Sequence, residues 1–337
     1  MPSSPQRAIG SSAALAQALD QASALAIINR PILVLGERGT GKELIAERLH
    51  FLSPRWDQAF ISLNCATISE DLMESELFGH EPGAFTGARQ IHQGRFERAD
   101  GGSLFLDELG AMSTRLQEKL LRVIEYGEFE RLGGHKTLKA DVRIIAATNA
   151  DLKTMALKGE FRADLLDRLA FDVIATPPLR DRLEDIEELA DYFAMRMRIE
   201  LGWHSFAGFS KAALTQLRQY PWPGNIRELK NCIERSVFRQ GDTADRLENI
   251  IIDPFPKHSE IALDKDMIDT TPDIKRQQVP HDNHIQAELG FKEAINQREK
   301  ELLIQALEQN QQSQKQAAKA LHLSYDQIRG LMKKHLK

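Results

Sequence analysis

The chain is 337 residues long, 42% hydrophobic and 28% charged, with a formal net charge of −5. That length holds two or three domains and a substantial core, the composition is that of a soluble globular protein, and no apolar run is long enough to cross a bilayer. The small negative charge gives no ground for a nucleic-acid role of the chain as a whole, so any basic surface must be local. Residues 1–10 lack a signal-peptide pattern. The two cysteines, Cys65 and Cys232, and the ten histidines show no ligand spacing. They read as reduced thiols of a cytoplasmic protein without a bound transition metal or inserted membrane segment.

From Ile9 to about Asp253 short apolar runs alternate with helical patterns, as in α/β folds. Pro31–Leu35 reads as a buried strand and Lys42–Phe51 as the helix after it. Phe60–Leu63, Ser103–Leu106 and Val142–Ala147 read as three more strands, the last apolar except for Arg143. Such continuous apolar strands predict a parallel sheet covered by helices on both faces. From Asp181 to about Asp253 the pattern is helical only, predicting an α-helical subdomain. Pro254 to about Ala287 is rich in Pro, Asp, His and Gln and predicts a flexible linker. Past Gly290 the helical pattern returns.

Between the first strand and its helix lie Gly36, Glu37, Arg38, Gly39, Thr40, Gly41 and Lys42. A glycine-rich turn in that context predicts a phosphate loop, with backbone N–H groups around the phosphates and Lys42 on the β and γ oxygens. Glu43 stands where the general motif has Ser or Thr for magnesium, which leaves Thr40, Asp107 and water as candidates around the metal. Gly101–Glu108 ends an apolar strand in two carboxylates, where parallel sheets bind their ligands. Asp107 is assigned to Mg²⁺ and Glu108 to polarising the attacking water of ATP; a helix cap is the plainer alternative. Asn225 reads as the cap of a later helix, with Arg227 on its first turn. Trp56, in a polar segment, is either an exposed docking point or a rim residue of the core.

The six residues Gly83, Ala84, Phe85, Thr86, Gly87 and Ala88 form a glycine-bracketed loop around one large apolar side chain. Ordering glycines is entropically costly and an exposed Phe buries nothing, so the loop makes sense if Phe85 meets a partner. With the preceding Glu76–Pro82, this string resembles the signature loop of bacterial activators of sigma-54 RNA polymerase, and Trp222–Leu229 resembles the same family. The Lys42–Glu43 pair also occurs there. Pro82 departs from the family's basic or small residue and stiffens the loop's entry. The resemblance implies an AAA+ P-loop subdomain over 1–180 and an α-helical lid over 181–253. It further implies a linker over 254–289 and a Fis-type helix-turn-helix over 290–337.

From the same resemblance, Phe85 and Thr86 contact sigma-54, and Asn64 holds the catalytic Glu108 according to nucleotide state. Thr148 and Asn149 occupy the sensor I position, and Arg227 is the sensor II contact to phosphate. Arg162 and Arg168 are fingers reaching a neighbouring subunit's site, which requires a closed hexameric ring. Ile9 and Gly10 lie near the adenine pocket. With the core beginning near residue 1, regulation is expected from a protein acting in trans, such as an inhibitor, or from abundance.

Gln316–Arg329 reads as helix, turn, helix. Ala317, Ala318 and Leu321 form one packed face, Leu323 anchors the turn, Ser324 caps the second helix, and Ile328, Leu331 and Met332 face the core. His322 fills a turn position that is often Gly. Residues 291–337 carry nine Lys/Arg against five Asp/Glu, a local basic surface suited to DNA. Ser324, Tyr325, Gln327, Arg329, Lys333 and Lys334 are the candidate contacts, with a dimer on enhancer DNA implied by the resemblance. Two other readings remain at this point: a different AAA+ remodelling motor, and a DNA-binding repressor whose ATPase core is only a scaffold.

Overall fold

The computed structural model describes residues 8–204, 206–254, 299–300, 303–308, 313–321, 323 and 325–335. They belong to two units, Met1–Ile261 and Ala262–Lys337. In the first, β1 (Ile32–Leu35), β2 (Phe60–Asn64), β3 (Ser103–Asp107), β6 (Arg143–Thr148) and β7 (Val173–Ala175) form one sheet in the order β2-β3-β6-β1-β7. All neighbours are parallel. Parallel neighbours need crossovers, and helices supply them on both faces. On one face α1 (Ala13–Ala26) and α2 (Lys42–Phe51) bury Leu25, Ile45 and Leu49 against Val34, Phe105, Ile145 and Ile174. On the other, α3 (Glu70–Phe78), the short α4 (Arg95–Arg98), α5 (Thr114–Tyr126), the short α6 (Leu152–Leu157) and α7 (Ala163–Leu169) bury Leu77, Phe96, Leu120, Leu152 and Leu165 against Leu33, Leu104 and Ile144. Each such side chain contributes about 1.5–3 kcal/mol on leaving water.

The four expected strands are present, shifted by at most a residue at either end. β7 is the fifth; three residues with an exposed–buried–exposed pattern leave no sequence signal. A separate hairpin of β4 (Glu128–Glu130) and β5 (Thr137–Lys139) is equally short. Arg143, the polar exception in β6, is buried and donates to the carbonyls of Leu25, Ala26 and Leu49 at 2.8, 2.8 and 3.1 Å. Its guanidinium thus sits on the carboxyl ends of α1 and α2, where helix dipoles favour a cation.

After β7 the chain becomes helical, as expected: α8 (Asp185–Glu200), α9 (Lys211–Gln219) and α10 (Asn225–Gln240) pack Leu189, Phe193, Leu217, Trp222, Leu229 and Ile233 into a second core. Asp185, fully buried at the start of α8, accepts from the backbone N–H groups of Ser11 and Ser12 at 2.7 and 2.8 Å. It also accepts from Ser12 Oγ at 2.6 Å and Arg182 Nε at 2.8 Å. The start of α1 is thereby fastened to the helical subdomain.

In the second unit residues 303–308 are helical, followed by helices Gln314–Ala320 and Tyr325–His335. Leu303, Leu307, Ala317, Ala318 and Ile328 form its core, with Leu321, Leu331 and Met332 against it; all but Leu303 and Leu307 are packing residues expected from the sequence. The expected linker beyond residue 254, together with His322, Ser324 and the Tyr325 side chain, lies outside the described residues.

Candidate functional site

Glycines at φ +78 (Gly39) and +95 (Gly41) turn the chain from β1 into α2, a conformation side chains rarely adopt. The free backbone N–H groups of the first turn of α2 make this an anion site. Lys42 Nζ donates to the carbonyls of Gly36 and Glu37 at 3.0 and 3.2 Å. Burial pulls the Lys42 pKa down, Glu108 and Asp107 pull it back up, and Arg227 and Arg38 push it down again. Two carboxylates and three cationic side chains therefore converge here. Thr40 is engaged within the loop. Its hydroxyl is 2.7 Å from Thr176 Oγ1 and donates to the Glu37 carbonyl at 2.9 Å, because the turn directs it into the floor of the loop. Glu43 lies in the first turn of α2 and is exposed.

β3 delivers Asp107 and Glu108 to the carboxyl edge of the sheet. Asp107 Oδ1 accepts from the Glu108 N–H at 2.9 Å. Asn64, at the end of β2, donates to Asp107 Oδ2 at 3.3 Å. Here Asn64 contacts Asp107 and not Glu108. Asn64 is the direct register partner of Asp107, whereas Glu108 has left the strand with φ 52. Glu108 instead meets Arg38, with Oε1 3.7 Å from Nε. An acidic residue held in the left-handed region costs about 1 kcal/mol and characterises functional turns. Thr148 ends β6, buried, with its hydroxyl accepting from the Ala150 N–H at 3.0 Å; Asn149 is exposed beside it. Asp107 offers a carboxylate suited to a hard divalent cation next to the phosphate loop, and the donor set fits Mg²⁺ held jointly with nucleotide phosphates.

Asn225 does not cap α10 through its side chain; Gly224 is the N-cap residue and makes no side-chain cap bond. Asn225 lies at φ 52, so its amide turns away from the helix and onto the phosphate loop. Arg227, on the first turn, packs against Gly39, where an added Cβ would also collide with the Gly224 carbonyl. Ile9 packs against the lid core, its carbonyl accepting from Arg182 at 3.3 Å. Gly10, at φ +130, lies so close to the Asp185 carboxylate that a Cβ would fall 2.6 Å from it.

Arg162 caps the start of α7 and forks Asp164 at 3.1 and 2.7 Å. Arg168 reaches Glu125 at 3.0 Å. Both pairs are exposed and screened by solvent, so either guanidinium can exchange its partner at small cost.

The Gly83–Ala88 loop is closed by Gly83 N–H to the Ala88 carbonyl at 2.8 Å and by Ala88 N–H to the Phe85 carbonyl at 3.1 Å. Gly83 and Gly87, at φ +85 and +107, have open space around them. Phe85 is 42% exposed, and its ring meets His80 edge-on at 4.9 Å. His80 stacks on His92 at 5.3 Å and shares a 2.7 Å hydrogen bond with Ser75. Thr86 is exposed and Ala84 half-buried. Pro82 is exposed, and the preceding Glu81 N–H donates to the Leu132 carbonyl at 3.0 Å. Trp56 is 60% exposed, which removes the rim-of-core alternative. In the second unit Gln327, Arg329, Lys333 and Lys334 are exposed on the Tyr325–His335 helix, with Lys334 paired to Glu299 at 2.8 Å.

A P-loop facing paired acids at a parallel sheet edge, under a helical lid, defines an AAA+ ATPase. Residues 8–175 match the family model described as the sigma-54 interaction domain, and residues 180–253 match the AAA+ ATPase lid domain. The chain is 53% identical to the Psp operon transcriptional activator of Escherichia coli (strain K12) over 327 residues, 97% of each chain. It is 50% identical to the Nif-specific regulatory protein of Azotobacter vinelandii over 234 residues, 69% of this chain but 44% of that one. The crystal structure of NtrX from Brucella abortus in complex with ATP covers 98% of this chain at TM-score 0.68 and 33% identity, with 70% of its own chain matched. The chain therefore belongs to the sigma-54 interaction family of ATP-dependent transcriptional activators.

Proposed function

We propose that the protein hydrolyses ATP to remodel the sigma-54 RNA polymerase closed complex, activating an operon equivalent to the phage-shock (Psp) operon. In this reading Phe85 and Thr86 bind sigma-54. The observation that carries it is the exposed Phe85 at the tip of a glycine-hinged loop, in the same unit as the Lys42–Asp107–Glu108 cluster. The phosphate-loop N–H groups and Lys42 bind the polyphosphate, Asp107 holds Mg²⁺ with it, and Glu108 accepts a proton from the attacking water. Arg162 and Arg168 act across subunits of a hexameric ring. The cation supplies charge neutralisation on the transferring phosphoryl group. Thr148, Asn149 and Arg227 report the phosphate. The C-terminal module is a Fis-type helix-turn-helix joined by a linker over 254–289, with Gln327, Arg329, Lys333 and Lys334 toward enhancer DNA. Exposed Trp56 offers a docking point for an inhibitor acting in trans.

The test is open-complex formation by sigma-54 polymerase on a linear promoter, with ATPase rate in parallel, for wild type and Thr86→Ala. The expected result is retained hydrolysis with lost promoter opening in the variant. Wild-type hydrolysis without promoter opening would make the protein a different AAA+ motor. No nucleotide-dependent activity, unchanged by Lys42→Ala or Glu108→Ala, would leave the scaffold reading.

A further inference from the structure

Three residues far apart in sequence meet beside the phosphate loop. Asn225, fully buried, accepts from the Leu179 N–H at 2.7 Å through Oδ1. Its Nδ2 donates to Glu37 Oε2 and to the Arg38 carbonyl, both at 3.0 Å. Glu37 in turn takes a two-pronged contact from Arg180 at 2.9 and 2.6 Å. Beside them the Ile226 N–H donates to the Gly39 carbonyl at 3.0 Å.

The backbone is shaped for this meeting. Trp222 and Asn225 lie at φ 50 and 52, the former unusual for a bulky residue. Such strain persists only where surrounding contacts over-determine it. Here Trp222 is buried with Nε1 donating to the Leu217 carbonyl at 2.7 Å, and Asn225 is fixed from both sides. The result is that the start of α10, which carries Arg227, is fastened to the phosphate loop by three hydrogen bonds.

The geometry points to Asn225 and Glu37 as positioning residues that make the phosphate loop and the Arg227 turn one rigid body, so that Arg227 distinguishes ATP from ADP. Neither group needs to touch nucleotide. An amide uniquely serves at position 225, since it offers an acceptor to Leu179 N–H and donors to Glu37 and the Arg38 carbonyl at once. Arg180, at the junction between sheet and lid, locks the Glu37 carboxylate in place with a planar fork. The side-chain hydrogen bonds of Arg180 and Asn225 hold the Glu37 pKa at about 2, so the carboxylate is ionised throughout the physiological range. This inference rests on the ATPase reading above.

The experiment measures affinities of the full chain for ADP and for a non-hydrolysable ATP analogue, by displacement of a fluorescent ADP. Asn225→Gly suits the left-handed backbone and removes only the amide. Its ATP-over-ADP preference is expected to fall about tenfold, in line with the loss of a charge-assisted hydrogen bond. The double variant with Arg227→Ala should discriminate no worse than Arg227→Ala alone, because the amide acts through that arginine. Equal weakening of both nucleotides, or multiplicative effects in the double variant, would overturn the proposal. Glu37→Gln, at the exposed rim, tests it independently of folding: a smaller shift in the same direction supports it, and an unchanged preference overturns it. If wild type binds neither nucleotide, the ATPase reading itself fails.

Discussion

Asp185→Ala removes an acceptor that is engaged four times inside the protein: by Ser11 N–H, Ser12 N–H, Ser12 Oγ and Arg182 Nε. Both charged partners are buried, with side-chain exposures of 2% for Arg182 and 0% for Asp185. Deleting one member of such a pair strands the other charge and costs about 3–5 kcal/mol. The two orphaned N–H groups keep the estimate near the top of that range, about 5 kcal/mol. For a unit of this size that corresponds to a fall of about 10–15 °C in the unfolding midpoint. Calorimetry of the full chain reads it directly. The cycle with Arg182→Leu adds a second criterion: the double variant should recover at least about 2 kcal/mol of the summed losses. A fall under about 3 °C for Asp185→Ala, or simple additivity, would refute the assignment of this pair as the tie between α1 and the lid. The pH dependence has a fixed sign. Burial raises the Asp185 pKa, but the hydrogen bonds from Ser12, Arg182 and Ser11 outweigh it and the net shift is downward. The stabilisation is therefore complete above the unfolded carboxyl value of 3.8 and is lost only as pH falls below it.

Arg143→Ala deprives the Ala26 and Leu49 carbonyls of a buried cationic donor and is expected to cost about 3 kcal/mol, read as a lower urea midpoint. Burial pulls the Arg143 pKa down to about 10, so a loss under about 1 kcal/mol would mean that the cost of burying the charge cancels its bonds. His80→Ala removes the edge-on partner of Phe85, worth about 0.5–1.5 kcal/mol, and should speed amide exchange across 83–88 by about twofold to tenfold. Unchanged exchange would show that the ring contact does not restrain the loop.

What could be read from the sequence was what is local. The phosphate loop, the acidic strand end and the glycine-bracketed loop are contiguous strings whose chemistry survives without knowing the fold. Contacts between distant segments were the part that could not be read. Asn225 beside Gly224 at a helix start has the pattern of a cap, and only its left-handed φ sends the amide elsewhere. Glu37 and Asn225 are 188 positions apart, and no periodicity links them. Asn64 sits at the expected strand end, and the register that pairs it with Asp107 while Glu108 turns away could not be read from the sequence. The contact of the Thr40 hydroxyl with Thr176, 136 positions away, likewise has no signal in the sequence. Asp185 and Arg182 gave no signal, since a charged pair in a polar stretch looks the same whether buried or exposed.

The strength with which the loop is held determines how much nucleotide must do. A continuous run of contacts leads from the acidic strand end to Phe85. Asn64 touches Asp107, and β2 continues to the Ser62 carbonyl, which accepts from Arg95 at 2.8 Å. Arg95 pairs with Glu76 at 2.8 Å, and Glu76 lies 3.6 Å from His92, the stacking partner of His80. Continuity alone does not make a lever; a two-state element is needed, and in the proposed function that element would be Phe85, held against His80 or released. Freeing its ring loses one aromatic pair and part of one side chain's burial, together about 2 kcal/mol. Because 1.4 kcal/mol is a factor of ten, a nucleotide state favouring the released loop about 30-fold over the held one suffices. The proposed contacts of Lys42 and Arg227 with a γ-phosphate would have to supply that preference. The same arithmetic explains the low exposure cost of Phe85: a fully buried ring would require several hundredfold discrimination, and a fully free one would leave the loop raised with no nucleotide bound.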